Sequence, residues 1–114
     1  MKTVEKMGAQ GDVLFRRVKA VPKDAVAEKV RGRLIVAHSE TGHHHAIDGF
    51  KGSFFRVPGN PLIAYLQLTE DCDVVHHRGW DTHETIRLKA DVGAVFEVRR
   101  QREWTPEGWR RVAD

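Results

Sequence analysis

The stretch "SFFRVPGNPLIAYLQL", residues 53–68, decides the fold class. Residues 53–57 form a short apolar and aromatic run, which ends at the Pro-Gly-Asn-Pro sequence of 58–61, the strongest turn signal in the chain. Residues 62–68 then alternate in polarity, which is the period of a β-strand. The side chains that this alternation places on one face are Leu62, Ala64, Leu66 and Leu68. The stretch therefore predicts two strands separated by a turn.

Similar short runs occur along the rest of the chain. We predict further strands in residues 11–18, 33–38, 73–78, 84–90 and 94–104. Gly79 and Gly93 fall in the gaps between these runs, as expected for turn residues. Strands at such intervals are typical of a β-sandwich or a β-barrel.

One segment, residues 22–32, is a candidate helix. Pro22 suits a first helical turn, Val26 and Val30 are four residues apart, and Gly32 suits the end of a helix. The segment is so short that an irregular arm is an equal alternative. We therefore predict an all-β fold: a single domain over residues 1–114, a sandwich or barrel of about seven or eight short strands with at most one short helix.

The composition predicts a cytoplasmic protein. The N-terminus lacks the apolar core of a signal peptide, and no apolar run is long enough to span a membrane. Cys72 is the only cysteine, which excludes an internal disulfide and a zinc knuckle. The anionic neighbours Asp71 and Asp73 should raise the pKa of this thiol and weaken it as a nucleophile. No complete catalytic signature is present, so the sequence predicts no named activity.

The charge is unevenly distributed along the chain. Residues 1–33 contain nine Lys or Arg against four Asp or Glu, whereas residues 34–96 contain five against eight. All seven histidines lie in the acidic middle, which favours a cationic partner there over a phosphate backbone. The basic N-terminal region is where a nucleic acid could bind, and we predict Arg16, Arg17 and Lys19 as its contacts.

Two histidine-rich segments suggest a metal site. In "TGHHHAI", residues 41–47, His43 and His45 are two apart and would share one face of a strand. A second segment, "VVHHRGWDTHE" at 74–84, offers further donors. We predict a site of four ligands that suits Zn, Ni or Cu: His43, His45, His83 and either His77 or His76, with His77 preferred. A carboxylate from Asp81 or Glu84 would make Fe or Mn suitable.

Two other interpretations of the histidines stay open. They can be exposed or core side chains with no ligand role, or a cluster whose imidazoles repel one another when protonated and so sense pH. The C-terminal stretch adds arginines next to Trp104 and Trp109, a combination that can stack on bases. Interspersed acids favour a solvated edge there, with "TPEGW" as a turn that folds Trp109 back against Trp104 or the sheet.

The chain resembles a group of small uncharacterised β-rich proteins from bacteria and tailed phages. The matching pieces are "QGDVLFRRV", "LIVAHSETGHHHAI", "HETIRL" and "VFEVRRQREWTPEGWRRVAD". The resemblance implies that one set of residues belongs to a shared pattern: Gly42, His43, His45, His83, Gln101, Arg102 and Glu103. The His-x-His pair completed by a later histidine is also similar to cupins, which implies a small β-barrel with a metal.

Two functional hypotheses follow. The first is a small β domain that binds a divalent metal (Zn, Ni, Fe or Mn) through the histidine cluster, in a structural or regulatory role. The alternative is a non-enzymatic accessory module that contacts protein or nucleic acid through its basic N-terminal region. A homo-oligomer is compatible with either hypothesis.

Overall fold

The computed structural model describes residues 2–37, 44–76, 84–90 and 94–100, and the backbone alone of 102–105 and 108–111. These parts of the chain form thirteen β-strands. Their bounds are β1 Lys2–Val4, β2 Met7–Gln10, β3 Val13–Val18, β4 Val26–Glu28, β5 Leu34–Ala37, β6 His45–Ile47, β7 Gly52–Val57, β8 Asn60–Leu68, β9 Cys72–His76, β10 Ile86–Leu88, β11 Val95–Arg100, β12 Arg102–Thr105 and β13 Gly108–Arg111.

Eleven of these strands build two sheets. One sheet has the order β2-β3-β11-β8-β7-β4 and is antiparallel throughout. The other has the order β1-β10-β9-β6-β5, in which β1 is parallel to β10 and the other pairs are antiparallel. Within the described residues the strands form separate sheets and no closed barrel, so the architecture is all-β and sandwich-like.

The hydrophobic core lies between the inner faces of the two sheets. The six-stranded sheet contributes Phe15, Leu66 and Phe96, none of which is exposed to solvent. The five-stranded sheet contributes residues that include Val74 and Leu88, also fully buried. Because side chains alternate across a strand, these residues leave their neighbours on the outer faces. Burying each such side chain is worth about 1.5–3 kcal/mol.

The turn between the two strands of 53–68 is confirmed. Strands β7 and β8 pair as an antiparallel hairpin in which Phe54 lies opposite Leu66. Gly59 in the turn has φ of 79°, a backbone conformation that glycine adopts without steric cost. At the C-terminus the backbones of β12 and β13 pair with Trp104 opposite Trp109, and residues 106 and 107 of the predicted turn lie outside the described residues.

The candidate helix over residues 22–32 is wrong, and so is the predicted number of strands. Residues 22–32 contain β4, which pairs with β7 through Val26–Arg56 and Glu28–Phe54. An isolated helix of this length is only marginally stable. A strand at the edge of the sheet is stabilised by backbone hydrogen bonds to its neighbour. The three-residue strands β1, β4 and β6 are too short to display the alternation by which strands are counted in a sequence.

No helix long and apolar enough to span a membrane occurs in the described part of the chain.

Candidate functional site

Four polar side chains from both sheets meet inside one end of the sandwich. His45 begins β6 and His76 ends β9, and the antiparallel register places these two residues directly opposite each other. Gln10 ends β2 on the facing sheet, and Asp12 follows it in the turn before β3. Gly11 between them has φ of 58°, which allows that tight turn. We call these four residues, Gln10, Asp12, His45 and His76, the histidine–carboxylate cluster.

The cluster is shielded from water. His45 and His76 are 0% exposed, Gln10 is 2% exposed and Asp12 is 3% exposed. The two imidazole rings stack with their centroids 4.3 Å apart. Burial of so many polar groups is costly unless their hydrogen-bonding and charge requirements are met inside the protein. The cost of burying these four side chains must therefore be offset by the groups that they contact.

Gln10 fixes the tautomer of His45. The Gln10 amide nitrogen donates to the backbone carbonyl oxygens of Val74, at 2.8 Å, and Glu84, at 2.9 Å. Its Oε1 atom is therefore the acceptor facing His45 Nδ1, at 2.8 Å. Nδ1 must carry the hydrogen in this bond, so in a neutral imidazole the lone pair is on Nε2.

That Nε2 atom faces a carboxylate. Asp12 Oδ1 is 3.5 Å from His45 Nε2, longer than an ordinary N–H···O hydrogen bond. A lone pair and a carboxylate oxygen repel each other across a low-dielectric interior. A cation between them, either a proton on Nε2 or a metal ion, turns this contact into an attraction.

The spacing suits a metal ion. Two ligands held at about 2.0–2.1 Å from a tetrahedral zinc ion lie roughly 3.3 Å from each other. The 3.5 Å between His45 Nε2 and Asp12 Oδ1 is close to that edge length. Ligating histidines commonly donate their other ring N–H to a fixed acceptor, and Gln10 Oε1 occupies that position.

Arg100, at the end of β11, lies on the other side of Asp12. Its Nε atom is 4.0 Å from Asp12 Oδ2, and its side chain is 9% exposed. The guanidinium offsets part of the negative charge of the buried carboxylate.

Of the four predicted metal ligands, the structure describes only His45. It also brings His76, the alternative to His77, against His45. His43, His77 and His83 lie outside the described residues. In the described ranges no group of three or more His, Cys, Asp or Glu side chains could hold a metal ion. Sequence reasoning missed Gln10 and Asp12, although both lie in the "QGDVL" stretch that carries the family resemblance.

A second buried carboxylate lies on the outer face of the six-stranded sheet. Glu97, on β11, accepts hydrogen bonds from Arg16 at 3.3 Å, Arg99 at 3.2 Å and the Tyr65 hydroxyl at 3.1 Å. Burial acts to raise the pKa of Glu97, but the hydrogen bonds and charges of these partners outweigh it and lower the pKa. Burial and the nearby Glu97 together raise the pKa of Tyr65. We call these four residues the Glu97 cluster.

The predicted nucleic-acid contacts border one surface depression. Arg16, Arg17 and Lys19 line it together with Lys6 and residues at the start of β11. Arg16 is half exposed and is also a partner of Glu97. The depression therefore combines four basic residues from the β2–β3 hairpin and its flanks.

The predicted effect on Cys72 is confirmed. Burial, followed by the charges of Asp73, Asp71 and Glu70, raises its pKa to about 12. At neutral pH the thiol is almost entirely protonated, so it is a poor nucleophile and a poor metal ligand.

Residues 9–101 match the model of a family described as a domain of unknown function, DUF8820. This match covers most of the chain and includes every member of the histidine–carboxylate cluster. The chain belongs to the DUF8820 family. No curated protein and no solved structure matches it.

Proposed function

We propose that this protein binds a divalent metal ion through its histidines, with a structural or regulatory role. The observation that carries the proposal is the contact of 3.5 Å between His45 Nε2 and Asp12 Oδ1, with His45 Nδ1 held by Gln10. These atoms form one edge of a site: an imidazole nitrogen and a carboxylate oxygen at ligand spacing.

The remaining ligands come from the sequence prediction. His43 is two residues before His45, His77 directly follows His76, and His83 directly precedes Glu84, whose carbonyl oxygen accepts from Gln10. One or two imidazoles from this set, added to His45 and Asp12, give a mixed imidazole and carboxylate donor set that suits Zn, Ni, Fe or Mn. The metal would stabilise the folded state, because it holds both sheets at one end of the sandwich.

Zinc titration of EDTA-treated protein, purified without a histidine tag or nickel resin, tests this proposal by calorimetry. We expect one site per chain and proton release as ligands deprotonate. His45→Gln removes the central donor and should lower the zinc affinity at least about tenfold. His43→Gln, His77→Gln and His83→Gln then identify the other ligands.

His44→Gln is the matched control, since it removes a neighbouring imidazole outside the predicted ligand set. It should leave the zinc affinity within a factor of about two. Equal weakening by His44→Gln and His45→Gln would mean that zinc binds loosely along the histidine run, and it would contradict the proposal. So would the absence of any zinc binding by the wild-type protein.

A second candidate function is nucleic-acid binding at the depression lined by Lys6, Arg16, Arg17 and Lys19. The observation that favours it is that this single depression gathers all three residues predicted from the sequence, plus Lys6. Four such side chains could contact several successive phosphates.

Fluorescence anisotropy with a DNA duplex of about 20 base pairs and a single strand of similar length tests this candidate across salt concentrations. The double variant Arg17→Gln/Lys19→Gln leaves the Glu97 cluster intact. It should reduce the slope of log affinity against log salt concentration by the equivalent of about two phosphate contacts. Lys29→Gln/Arg31→Gln removes the same charge away from the depression and is the control. Equal effects of the two double variants would contradict this candidate.

A further inference from the structure

The basic depression of the second candidate function also has an apolar floor. The depression encloses about 630 Å³, and its lining includes Met7 of β2, Val18 of β3 and Val95 of β11. The sheet register places Met7 opposite Arg16, and Val18 opposite Val95, so the floor extends over three adjacent strands. A ligand in the depression can therefore contact cationic groups and an apolar surface together.

Met7 is the most exposed part of this floor. Its side chain is 60% exposed, and the only other large hydrophobic side chain so exposed in the described part of the chain is Val26, at 57%. Val26 lies on β4, at the opposite edge of the six-stranded sheet and away from the depression. Methionine side chains adapt to the shape of a partner, so Met7 offers an apolar contact next to the cations.

The basic residues around the floor are accessible to an anion. Three of the four are exposed: Lys6, Arg16 and Lys19. Arg16 contacts both carboxylate oxygens of Glu97 through its Nη2 atom, at 3.3 Å. A guanidinium has several further N–H donors, so Arg16 can meet a phosphate without leaving Glu97.

We propose, on the basis of the second candidate function, that this depression binds single-stranded nucleic acid, with phosphates against Lys6, Arg16 and Lys19 and an unstacked base against Met7. The bases of a duplex are stacked and present only their edges in the grooves, so they cannot lie on the floor of a depression. The bases of a single strand can be splayed out onto such a surface.

The floor suits a base better than it suits an acidic peptide. The face of a base needs no hydrogen bond, whereas the N–H and C=O groups of a peptide lying on apolar side chains would need partners. β3, which crosses the depression, pairs with β2 on one side and with β11 on the other. Its backbone groups are therefore occupied and cannot receive a peptide strand.

The test is fluorescence anisotropy in EDTA, with a labelled thymidine single strand of about twelve nucleotides and a duplex of about twelve base pairs. At equal salt concentration we expect the single strand to bind at least about fivefold more tightly than the duplex. The slope of log affinity against log salt concentration should be roughly −2 to −3 for the single strand, which corresponds to three or four phosphate contacts.

Two matched variants test the contact with Met7. Met7→Phe places an aromatic ring where a base is expected, and should strengthen single-strand binding at least about fivefold. Val26→Phe adds a similar ring at the opposite edge of the sheet and should change this affinity less than about twofold. Both positions are exposed strand positions that tolerate phenylalanine. Neither variant should change duplex binding more than about twofold.

Several results would overturn the inference. Equal affinities for single strand and duplex, with a salt slope that still depends on Arg17 and Lys19, would leave the second candidate function standing without the preference for unpaired strands. Equal effects of Met7→Phe and Val26→Phe would exclude the base contact. Displacement of the single strand by an equal concentration of a glutamate peptide of similar length would favour an acidic peptide instead. If neither nucleic acid binds, the second candidate function is wrong as well.

Discussion

Two carboxylates in the described part of the chain, Asp12 and Glu97, are buried in different ways. Glu97 lies on the outer face of the six-stranded sheet and receives hydrogen bonds of 3.1–3.3 Å from a tyrosine and two arginines. Asp12 lies between the sheets, with its Oδ1 atom 3.5 Å from His45 Nε2 and its Oδ2 atom 4.0 Å from Arg100 Nε. Hydrogen bonds from these partners hold Glu97, and Asp12 faces the His45 imidazole at the spacing of two ligands of one metal ion.

The comparison distinguishes a polar cluster with a structural role from a candidate metal site. A carboxylate with hydrogen bonds from fixed side-chain donors needs no further cation, and its removal should affect stability alone. When a carboxylate faces the lone-pair nitrogen of a histidine whose tautomer is fixed, a cation that binds between the two groups stabilises the folded state. We therefore expect the two clusters to respond differently to mutation and to zinc.

The largest effect is expected for Gln10→Leu. This change removes two donors to backbone carbonyl oxygens and the acceptor for His45 Nδ1 in a fully buried place. The free energy of unfolding should fall by about 2–4 kcal/mol, measured by urea denaturation of EDTA-treated protein. Gln67→Leu changes an exposed glutamine on β8 and should cost under about 0.5 kcal/mol. Similar losses in the two variants would show that the Gln10 contacts do not hold the cluster.

A somewhat smaller effect is expected for the gain in stability on zinc binding, compared between variants of Asp12 and of Glu97. At free zinc about thirty times the dissociation constant, the wild-type protein should gain about 2 kcal/mol of stability. Asp12→Asn should lose most of this gain, and Glu97→Gln should keep it, as measured by thermal unfolding with and without EDTA. An equal zinc response in Asp12→Asn and the wild type would remove Asp12 from the proposed site.

The Glu97 cluster predicts a loss of stability in acid. Because the folded-state pKa of Glu97 is lowered, its contribution is present above the usual value of 4.5 and is lost as the pH falls through the folded-state value. Both arginine partners are about half exposed, so this contribution should be about 1 kcal/mol. In denaturation at a series of pH values, Glu97→Gln should be less stable at neutral pH and should lose less stability in acid. A variant with the wild-type pH profile would contradict this account.

The smallest effect concerns Tyr65, the only tyrosine in the chain. Its pKa is raised above 10.0 by burial and by Glu97, so absorbance at alkaline pH should show a single late titration. Glu97→Gln should move the midpoint towards 10.0, and Asp12→Asn should not. The stability that Tyr65 contributes is present below pH 10 and is lost as the pH rises through its folded-state pKa.

The sequence predicted the parts of the fold that carry strong local signals. The hairpin of 53–68 was predictable because a turn sequence separates two runs, of which the second alternates, and seven predicted strands recur in the structure. β4 was not predictable, because its formation depends on pairing with β7, a contact between residues far apart in sequence. The same limit applies to the three-residue strands β1 and β6.

The candidate site was only partly predictable for the same reason. The histidines stand out by composition, and His45 was named as a ligand. Gln10 and Asp12 are 35 and 33 positions before it, in a segment whose local pattern indicates only a strand and a turn. Their roles arise because the two sheets face each other, and no local signal contains that information.

Metal analysis of the untagged protein, purified from cells without nickel resin, tests the central claim most directly. We predict about one equivalent of a divalent metal per chain in the wild-type protein and in Glu97→Gln, and under about a tenth of an equivalent in His45→Gln. Less than about a tenth of an equivalent in the wild-type protein, followed by no uptake from a zinc solution, would contradict the account.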